Sequence, residues 1–410
     1  MAVIQYTAGE YSLQYPIGKT LFRAPAWVSH LRISPSGERV AFENHPFGGD
    51  EGSVMVVEKS GTVRELSSGW LTLQGLAWSP DETEIWFTGT RVGANRALYA
   101  ITLDGKERVV CRVPGVLTLW DIGPQGRMLM TQAYERGVVM AMLPGANEKD
   151  LSWFDYGITS GLSDDGKSLL TAEVGEGGGA HYTTYLRPSD GSPAVRLGEG
   201  QAYDLSSDGK YALSRVMGSP SKMYLLPTQG APRELAIGGI DPGHGALFVP
   251  GTHSILFEGS ENGHSARIYL LDPDSPALPR SVVPEGVNGL AAITSDGNFL
   301  LAQNQKQQYL FYSVAGGAPQ AVQGMQPGEL VFGIARDNRT LFVGRMGELP
   351  LKVYRLNATS GARQLWKEVG PTDHTGADLL GEVRVLLDGR AYFYSYFRSL
   401  SELYVFRSLK

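Results

Sequence analysis

Short apolar runs alternate with polar turns along the whole chain. In each repeat, two or three apolar residues lead into a turn rich in Ser, Pro, Asp and Gly, and a second apolar run follows. The turns are Ser34–Gly37, Ser79–Glu82, Gly123–Gly126, Ser163–Gly166, Ser206–Gly209, Val249–Thr252, Thr294–Gly297, Ala335–Asn338 and Leu386–Gly389. Successive turns end 40 to 51 residues apart. A repeat of this length is the size of one blade of a β-propeller.

The residues just before each turn indicate strands with two different faces. The residue immediately before the turn is apolar in every repeat: Ile33, Trp78, Ile122, Leu162, Leu205, Phe248, Ile293, Ile334 and Val385. One position earlier, eight of the nine residues are small or charged: Arg32, Ala77, Asp121, Gly161, Asp204, Ala292, Gly333 and Arg384, with Leu247 the exception. Alternation with a period of two is typical of a β-strand, and no window shows sustained helical periodicity. The fold class is therefore predicted to be all-β.

We predict one domain, residues 1–410, forming a single β-propeller of about nine four-stranded blades, with eight blades as the alternative. Its repeats begin near residues 31, 76, 119, 160, 203, 246, 291, 332 and 383. Residues 1–30 supply strands with no inner strand before them, whereas the last repeat supplies three strands and stops. An N-terminal strand is expected to close the ring by joining the C-terminal blade. The same pattern fits the C-terminal part of a longer protein.

Three of the turns lack the glycine that most repeats place at the fourth position, and one of these has Asn338 there. Glycine accepts the positive φ that closes such a turn, and asparagine tolerates it. Glu82 and Thr252 occupy the fourth position of their turns, so altered turn geometry is expected at both.

Composition restricts the partners that this chain can take. The 52 glycines, with 42% hydrophobic and 19% charged residues, suit many short strands joined by turns. A net charge of −6 argues against nucleic acid, which requires a basic surface. No apolar run is long enough to cross a membrane, and no signal peptide is visible. We expect a monomer that binds an unknown protein or small molecule and does not itself insert into a membrane.

Four charged residues on the predicted inner strands are candidates for a ligand site. Arg32, Asp121, Asp204 and Arg384 precede the apolar residue before their turns, so they should point toward the central channel. Arg32 and Arg384 would be neighbours if the first and last repeats meet. A charged channel mouth suits a ligand, while pairing of charges around a wet channel is the structural alternative.

No catalytic motif is visible in the sequence. There is no Gly-x-Ser-x-Gly elbow, no HExxH pair, and no Lys-Ser/Thr after the glycine run at Gly175–Gly179. We therefore expect no enzyme activity, no nucleophile–base pair, no metal and no cofactor. The alternative is a propeller enzyme, a lactonase, a lyase or a metal-assisted hydrolase, with Asp121 and Asp204 at the channel mouth.

The Ser-Pro-Asp-Gly repeats resemble the TolB-like, WD40-like propeller family often labelled PD40. Longer segments resemble the C-terminal propellers of bacterial serine/threonine kinases from acidobacteria and myxobacteria. These segments are Tyr15–Phe42, Leu66–Thr88, Glu176–Gly200 and Tyr392–Lys410. No Gly-rich loop, HRD or DFG motif of a kinase occurs in this chain.

The resemblance implies a non-catalytic recognition propeller. It would be the sensory region of such a kinase or a stand-alone TolB-like relative. A chain attached to a membrane-spanning kinase would lie outside the cytoplasm, and otherwise it would be cytoplasmic. A free periplasmic scaffold of the TolB type would need a signal peptide.

Overall fold

The structure, a computed structural model, describes residues 1–7, 10–24, 26–46, 49–218 and 220–407. The chain folds into two compact units: residues 1–135 with 399–410, and residues 136–398. Antiparallel strands dominate both units, and the helices among the described residues are two short 3₁₀ turns. The predicted all-β class, with four-stranded antiparallel sheets of the kind that form propeller blades, is confirmed.

The first unit contains a three-stranded sheet (β1–β3), two four-stranded sheets (β4–β7 and β8–β11), and a hairpin of β12 with the first half of β13. Its strands are β1 Val3–Thr7, β2 Glu10–Gln14, β3 Thr20–Ala24, β4 Trp27–Ile33, β5 Arg39–His45, β6 Gly52–Glu58, β7 Val63–Trp70, β8 Thr72–Trp78, β9 Glu84–Thr90, β10 Ala97–Thr102, β11 Glu107–Cys111, β12 Val116–Ile122 and β13 Met128–Met142.

The second unit begins within β13 and ends within the last strand, β36. Its five complete four-stranded sheets are β15–β18, β19–β22, β23–β26, β27–β30 and β31–β34. The strands are β14 Lys149–Asp150, β15 Gly157–Leu162, β16 Ser168–Glu173, β17 Thr183–Pro188, β18 Val195–Glu199, β19 Gln201–Leu205, β20 Tyr211–Val216, β21 Lys222–Pro227, β22 Arg233–Glu234, β23 Asp241–Phe248, β24 Ile255–Ser260, β25 Arg267–Leu271, β26 Arg280–Ser281, β27 Asn288–Ile293, β28 Phe299–Gln303, β29 Tyr309–Ser313, β30 Gln320–Ala321, β31 Leu330–Ile334, β32 Thr340–Gly344, β33 Leu351–Asn357, β34 Arg363–Val369, β35 Ala377–Leu386 and β36 Ala391–Phe406. The 3₁₀ turns are Glu176–His181 and Leu387–Gly389.

Six inner strands of the second unit form a closed ring. Each contacts the next in the order β15, β19, β23, β27, β31 and β35, and β35 contacts β15 again. Apolar side chains of neighbouring sheets pack together between them. One such cluster joins Leu213 of β20 to Phe257 and Tyr269 of the next sheet. The second unit is thus a six-bladed propeller.

The predicted closure of the ring is wrong. Strand β1 pairs with β2 in the separate three-stranded sheet, whereas β36 lies between β35 and β13. Val138 of β13 packs in one core cluster with Tyr392 and Tyr394 of β36. The hydroxyls of these two tyrosines donate to Glu148, at 2.6 and 2.8 Å. The outer strands of the sixth blade are therefore β13 and β14 rather than a strand from the N-terminus.

The number of blades in the ring differs from the predicted count of about nine. The ring described above closes with six blades inside residues 136–398. The turns at Ser34–Gly37, Ser79–Glu82 and Gly123–Gly126 belong to the first unit. Local turns in the sequence predict the number of repeats. The number of blades in a ring depends instead on which distant strands pair.

The turns with Glu82 and Thr252 at the fourth position behave differently from each other. Glu82 adopts φ +59°, close to the value of the glycines at the fourth position of other turns. Its carboxylate accepts hydrogen bonds from the amide and, at 2.8 Å, the hydroxyl of Ser36 in the preceding turn. The expectation of altered geometry is wrong there. It is confirmed at Thr252, where the preceding Gly251 takes the positive φ.

The close contact between the inner strands β31 and β35 predicts how a substitution at Gly333 changes stability. A Cβ at Gly333 of β31 would overlap the carbonyl oxygen of Val385 on β35. Gly333→Ala should therefore separate these inner strands and lower the free energy of unfolding by about 1–3 kcal/mol. Urea denaturation measures this change. Gly123→Ala is the control, since a Cβ there meets only an ordinary contact at 3.7 Å; equal stability of the two variants would contradict the predicted close approach.

Candidate functional site

A bulge interrupts the pairing of each inner strand of the second unit with the second strand of its sheet. The register shifts lie between Ala202 and Asp204 in β19, between Asn288 and Ala292 in β27, and between Val331 and Gly333 in β31. The pairing of β35 with β36 shifts twice between Ala377 and Val383. Bulged residues lose ladder partners and turn their side chains or amides aside, so this part of each strand is available for other contacts.

Asp204 lies at the end of the bulge in β19 and is held by backbone amides. Its Oδ2 accepts a hydrogen bond of 2.9 Å from the amide of Phe248 on the neighbouring inner strand. Burial raises the pKa of Asp204 to about 6, although the amides of Phe248 and Leu205 and the charge of Arg384 act to lower it. The carboxylate thus connects two blades.

Arg384 lies on β35 and has a guanidinium that is only partly used. Its Nε donates to Glu382 Oε1 at 2.8 Å, and its Nη1 donates weakly to the carbonyl of Ala291 at 3.5 Å. Within the described ranges, Nη2 has no hydrogen-bond partner. The charge of Arg384 acts on Asp204, so the second unit brings these two candidates within electrostatic range.

The other two candidates lie in the first unit. Arg32 donates to the carbonyl of Trp120 at 2.6 Å and to that of Leu31 at 2.9 Å. Asp121 is exposed, and its Oδ1 accepts the amide of Ile122 at 2.9 Å. Arg32 therefore binds the backbone next to Asp121, and no ion pair joins the two in the part of the chain that the structure describes.

A pocket of about 270 Å³ lies beside Arg384 in the second unit, and we call it the Arg384 pocket. The bulged segments of β27, β31 and β35 form its wall, together with the ends of neighbouring strands. Its lining includes Gln303, Tyr309, Phe332, Met346, Glu382 and Arg384. The lining combines apolar side chains with a cation, an anion, an amide and a phenol. Such a mixture suits a small ligand with one polar end.

Sequence reasoning missed Gln303 and Tyr309, although one signal was present for the first. The sixth residue after the turn is polar in seven of nine repeats, inside an otherwise apolar strand: Glu43, Thr88, Gln132, Arg215, Glu258, Gln303 and Ser395. These side chains face the bulge. Glu258, for example, accepts the amide of Leu290 on the next inner strand, and Ser395 accepts that of Glu382 at 3.1 Å.

The first unit contains a nucleophile–base contact that the sequence analysis did not expect. Ser29 Oγ lies 2.8 Å from His45 Nε2 and 2.9 Å from Glu43 Oε2. The expectation that no such pair exists is therefore wrong. Ser29 is only 7% exposed, and Glu43 and His45 are fully buried, so a substrate has no direct approach to them.

Among the described residues, no group of three or more His, Cys, Asp or Glu side chains has a geometry that could hold a metal ion. No helix in the same residues has the length and hydrophobicity needed to cross a membrane.

Comparison with known proteins finds similarity in structure only. No protein-family model matches the sequence, and no curated protein matches it. A prolyl endopeptidase structure is 15% identical with a TM-score of 0.38, covering 86% of this chain; the chain spans 51% of its length. A TolB candidate from Agrobacterium tumefaciens is 14% identical with a TM-score of 0.26, covering 64% of this chain and 82% of its own. TolB from Acinetobacter baumannii is 12% identical with a TM-score of 0.28, covering 98% of this chain and 81% of its own. At these scores the similarities carry no argument about function.

The raised pKa of Asp204 predicts a pH-dependent difference between wild type and Asp204→Asn. Between about pH 4 and pH 6 the folded protein retains a proton that the unfolded chain has released, so ionisation of Asp204 costs stability as the pH rises. The unfolding free energy of Asp204→Asn, relative to wild type, should therefore increase across that interval. Urea titrations at four pH values measure it. Asp378→Asn, at an exposed aspartate, serves as control; a difference independent of pH would contradict the prediction.

Proposed function

We propose that this chain is a non-catalytic recognition propeller that binds its ligand in the Arg384 pocket. The observation that carries the proposal is the partly used guanidinium of Arg384 at the edge of an apolar wall. A guanidinium with free N–H groups recognises carboxylates by paired hydrogen bonds. The ligand class is therefore a carboxylate with an adjoining apolar group.

The apolar wall supports the second half of that ligand description. Phe332 is buried beneath the pocket, Met346 is partly exposed and Leu330 is 40% exposed. The C-terminus of a protein chain ending in an aliphatic residue offers both features, a carboxylate and an apolar side chain. A small aliphatic acid offers the same chemistry. Both belong to the protein or small-molecule partners expected from the sequence.

The alternative of a propeller enzyme at the channel mouth receives little support from the geometry. It requires Asp121 and Asp204 to act as ligands or bases. Amide hydrogen bonds already occupy the carboxylate of Asp204 on both sides, from Phe248 and Leu205. Ser29 and His45 are enclosed in the core of the first unit, so the proposal is a binding protein.

The wider role that we propose follows the sequence resemblance. The chain would be the sensory region of a bacterial serine/threonine kinase, or a stand-alone TolB-like relative, and ligand occupancy would be its signal. Reading the gene in frame upstream of Met1 tests the first possibility. A kinase reading frame joined to this one supports it, and an unrelated upstream gene contradicts it.

Binding of N-acetyl-leucine tests the proposed ligand class. This compound carries the carboxylate and the aliphatic side chain of a peptide C-terminus. Saturation-transfer NMR should detect binding with a dissociation constant on the order of 1 mM, typical of a small fragment. Arg384→Gln should weaken binding at least about tenfold, because it removes the charge-assisted hydrogen bonds. N-acetyl-leucinamide, which lacks the carboxylate, should not bind.

The control variant is Arg233→Gln, which removes an exposed arginine paired with Asp274 in the same unit. It should bind N-acetyl-leucine like the wild type. Equal binding by Arg384→Gln and wild type would locate the ligand elsewhere. Equal binding of the acid and the amide would reject a carboxylate ligand.

The absence of catalysis is a separate prediction. Purified protein should show no turnover of an ester, a lactone, a peptide or ATP above the uncatalysed rate, with or without added Mn²⁺. The physical reason is that the enclosed Ser29–His45 pair has no approach for a substrate. Absorbance or mass-spectrometric assays measure the rates. Hydrolysis that Ser29→Ala or Asp204→Asn abolishes would replace the binding proposal with an enzyme.

A further inference from the structure

A second pocket of the second unit lies beside the sheet β31–β34, and we call it the Arg363 pocket. Its volume is about 200 Å³, several times the roughly 30 Å³ that one water molecule occupies in the liquid. The segment before β31, the turn after β32 and the strands β33 and β34 supply its lining. Most of the lining side chains are charged: Glu329, Arg345, Glu348, Lys352 and Arg363. The chemistry of this pocket is therefore ionic.

Neighbouring side chains hold Arg363 in place. Its Nη2 donates to Glu329 Oε1 at 2.7 Å, and its guanidinium carbon lies 4.2 Å from the centre of the Tyr354 ring. Glu329 is itself buried, and its other oxygen accepts the amide of Gln326 at 2.8 Å. A planar guanidinium that is paired with a carboxylate and stacked on an aromatic ring has little freedom. Its orientation is thus fixed before a ligand arrives.

One nitrogen of the same guanidinium lacks an acceptor. Arg363 Nη1 is enclosed by protein, and no residue that the structure describes accepts its hydrogen bonds. An arginine nitrogen can only donate, and a buried donor without an acceptor is costly. Such an atom in a residue that lines a pocket indicates an acceptor from outside the chain. An anion, or a water molecule that the anion holds, would be that acceptor.

Two further cations of the lining are largely unused. Arg345 Nη2 donates to the carbonyl of Pro327 at 2.7 Å, and its other N–H groups have no partner within the described ranges. Lys352 is exposed, and its ammonium makes no hydrogen bond or ion pair with a described residue. Glu348, the second carboxylate of the lining, pairs with neither cation. Both cations are therefore available to a ligand.

The placement of the cations indicates the shape of the ligand. One arginine satisfies both oxygens of a carboxylate in a single plane. Here the three cations come from the turn after β32, from β33 and from β34. A phosphate group offers three acceptor oxygens around a tetrahedral centre, and a sulfate group has the same form. Three cations against two carboxylates leave one positive charge in excess, which favours an anion.

We propose that the Arg363 pocket binds a tetrahedral oxyanion, a phosphate or sulfate that is either the free ion or an ester. Arg345 and Lys352 donate charge-assisted hydrogen bonds to its oxygens. Arg363, held by Glu329, supplies the third positive charge. The carboxylate of Glu348 opposes the charge of the ligand and so limits the affinity. This site is separate from the Arg384 pocket and does not depend on the function proposed there.

NMR of the arginine Nε–H groups tests the proposal on the full chain. Inorganic phosphate, added in slightly acidic buffer, should shift the signals of Arg345 and Arg363 with a dissociation constant on the order of 1 mM. The Arg345 signal is identified by its loss in Arg345→Gln. The Arg363 signal is identified by its contacts with the Tyr354 ring. Sulfate should shift the same signals. Equal shifts with acetate at the same ionic strength would show simple charge screening and overturn the proposal.

Methyl phosphate distinguishes the two sources of the oxyanion. Binding of methyl phosphate tighter than that of inorganic phosphate supports an ester as the ligand, and weaker binding supports the free ion. Either order supports an oxyanion site. Failure of inorganic phosphate, sulfate and methyl phosphate to shift the signals of Arg345 and Arg363 would overturn it.

Two exposed residues of the lining should change the affinity in opposite directions. Lys352→Gln should weaken phosphate binding roughly fivefold, and Glu348→Gln should strengthen it roughly twofold, because each removes one charge near the ligand. Lys306→Gln, at an exposed lysine elsewhere in the same unit, is the matched control and should bind phosphate like the wild type. Arg363→Gln would leave Glu329 buried without its partner, so the exposed positions decide the outcome even if that variant does not fold.

The same variants separate this site from the Arg384 pocket. Lys352→Gln should bind N-acetyl-leucine like the wild type, because Lys352 does not line the Arg384 pocket. A loss of phosphate binding with N-acetyl-leucine binding retained supports two independent sites. Unchanged phosphate affinity in both Lys352→Gln and Glu348→Gln would place the anion elsewhere and overturn the proposal.

Discussion

Neighbouring inner strands lie so close together that some backbone amides of each strand donate their hydrogen bonds to side chains of the adjacent blade. The pairing of every described inner strand with the second strand of its sheet is interrupted by a register shift. Amides that have no partner in the sheet donate hydrogen bonds to polar side chains instead. Thr88 accepts the amide of Leu119 and Glu258 accepts that of Leu290, each on the following inner strand. A buried amide without an acceptor is costly, so these bonds fix the position of one blade against the next.

The Arg384 pocket is a consequence of the same bulges. The bulged segments of three consecutive inner strands line it. Charged residues on the inner strands have two kinds of role. Asp204 is held by amides and belongs to the framework, whereas Arg384 binds one carboxylate and one distant carbonyl. A position on an inner strand does not by itself distinguish a charge that can bind a ligand from a structural one. The hydrogen bonds that the side chain already makes do distinguish them.

Sequence periodicity is sufficient to predict the fold class, but it does not predict which strands close the ring. The turns and the alternation before them are local, and they locate the inner strands within a few residues. Closure depends on β13 pairing with β36, and residues such as Val138 and Tyr394 are hundreds of positions apart. β13 is 15 residues long and belongs to both units, which no repeat pattern would indicate. Arg384, one of the four residues predicted to form a ligand site, lines the Arg384 pocket, but Tyr309 carries no local signal because its place in the lining depends on the neighbouring blade.

Glu43 shows how one backbone position serves different purposes in different repeats. Glu43, Glu258 and Ser395 all stand six residues after their turns and face a bulge. In two of these repeats the side chain accepts a backbone amide. In the first, the bulge contains His30 at φ +50°, and the Ser29 hydroxyl, 2.9 Å from Glu43 Oε2, replaces the amide as donor. The other oxygen of Glu43, Oε1, is buried without a hydrogen-bond partner among the described residues, so an exchange of a backbone donor for a side-chain donor leaves this carboxylate only partly satisfied.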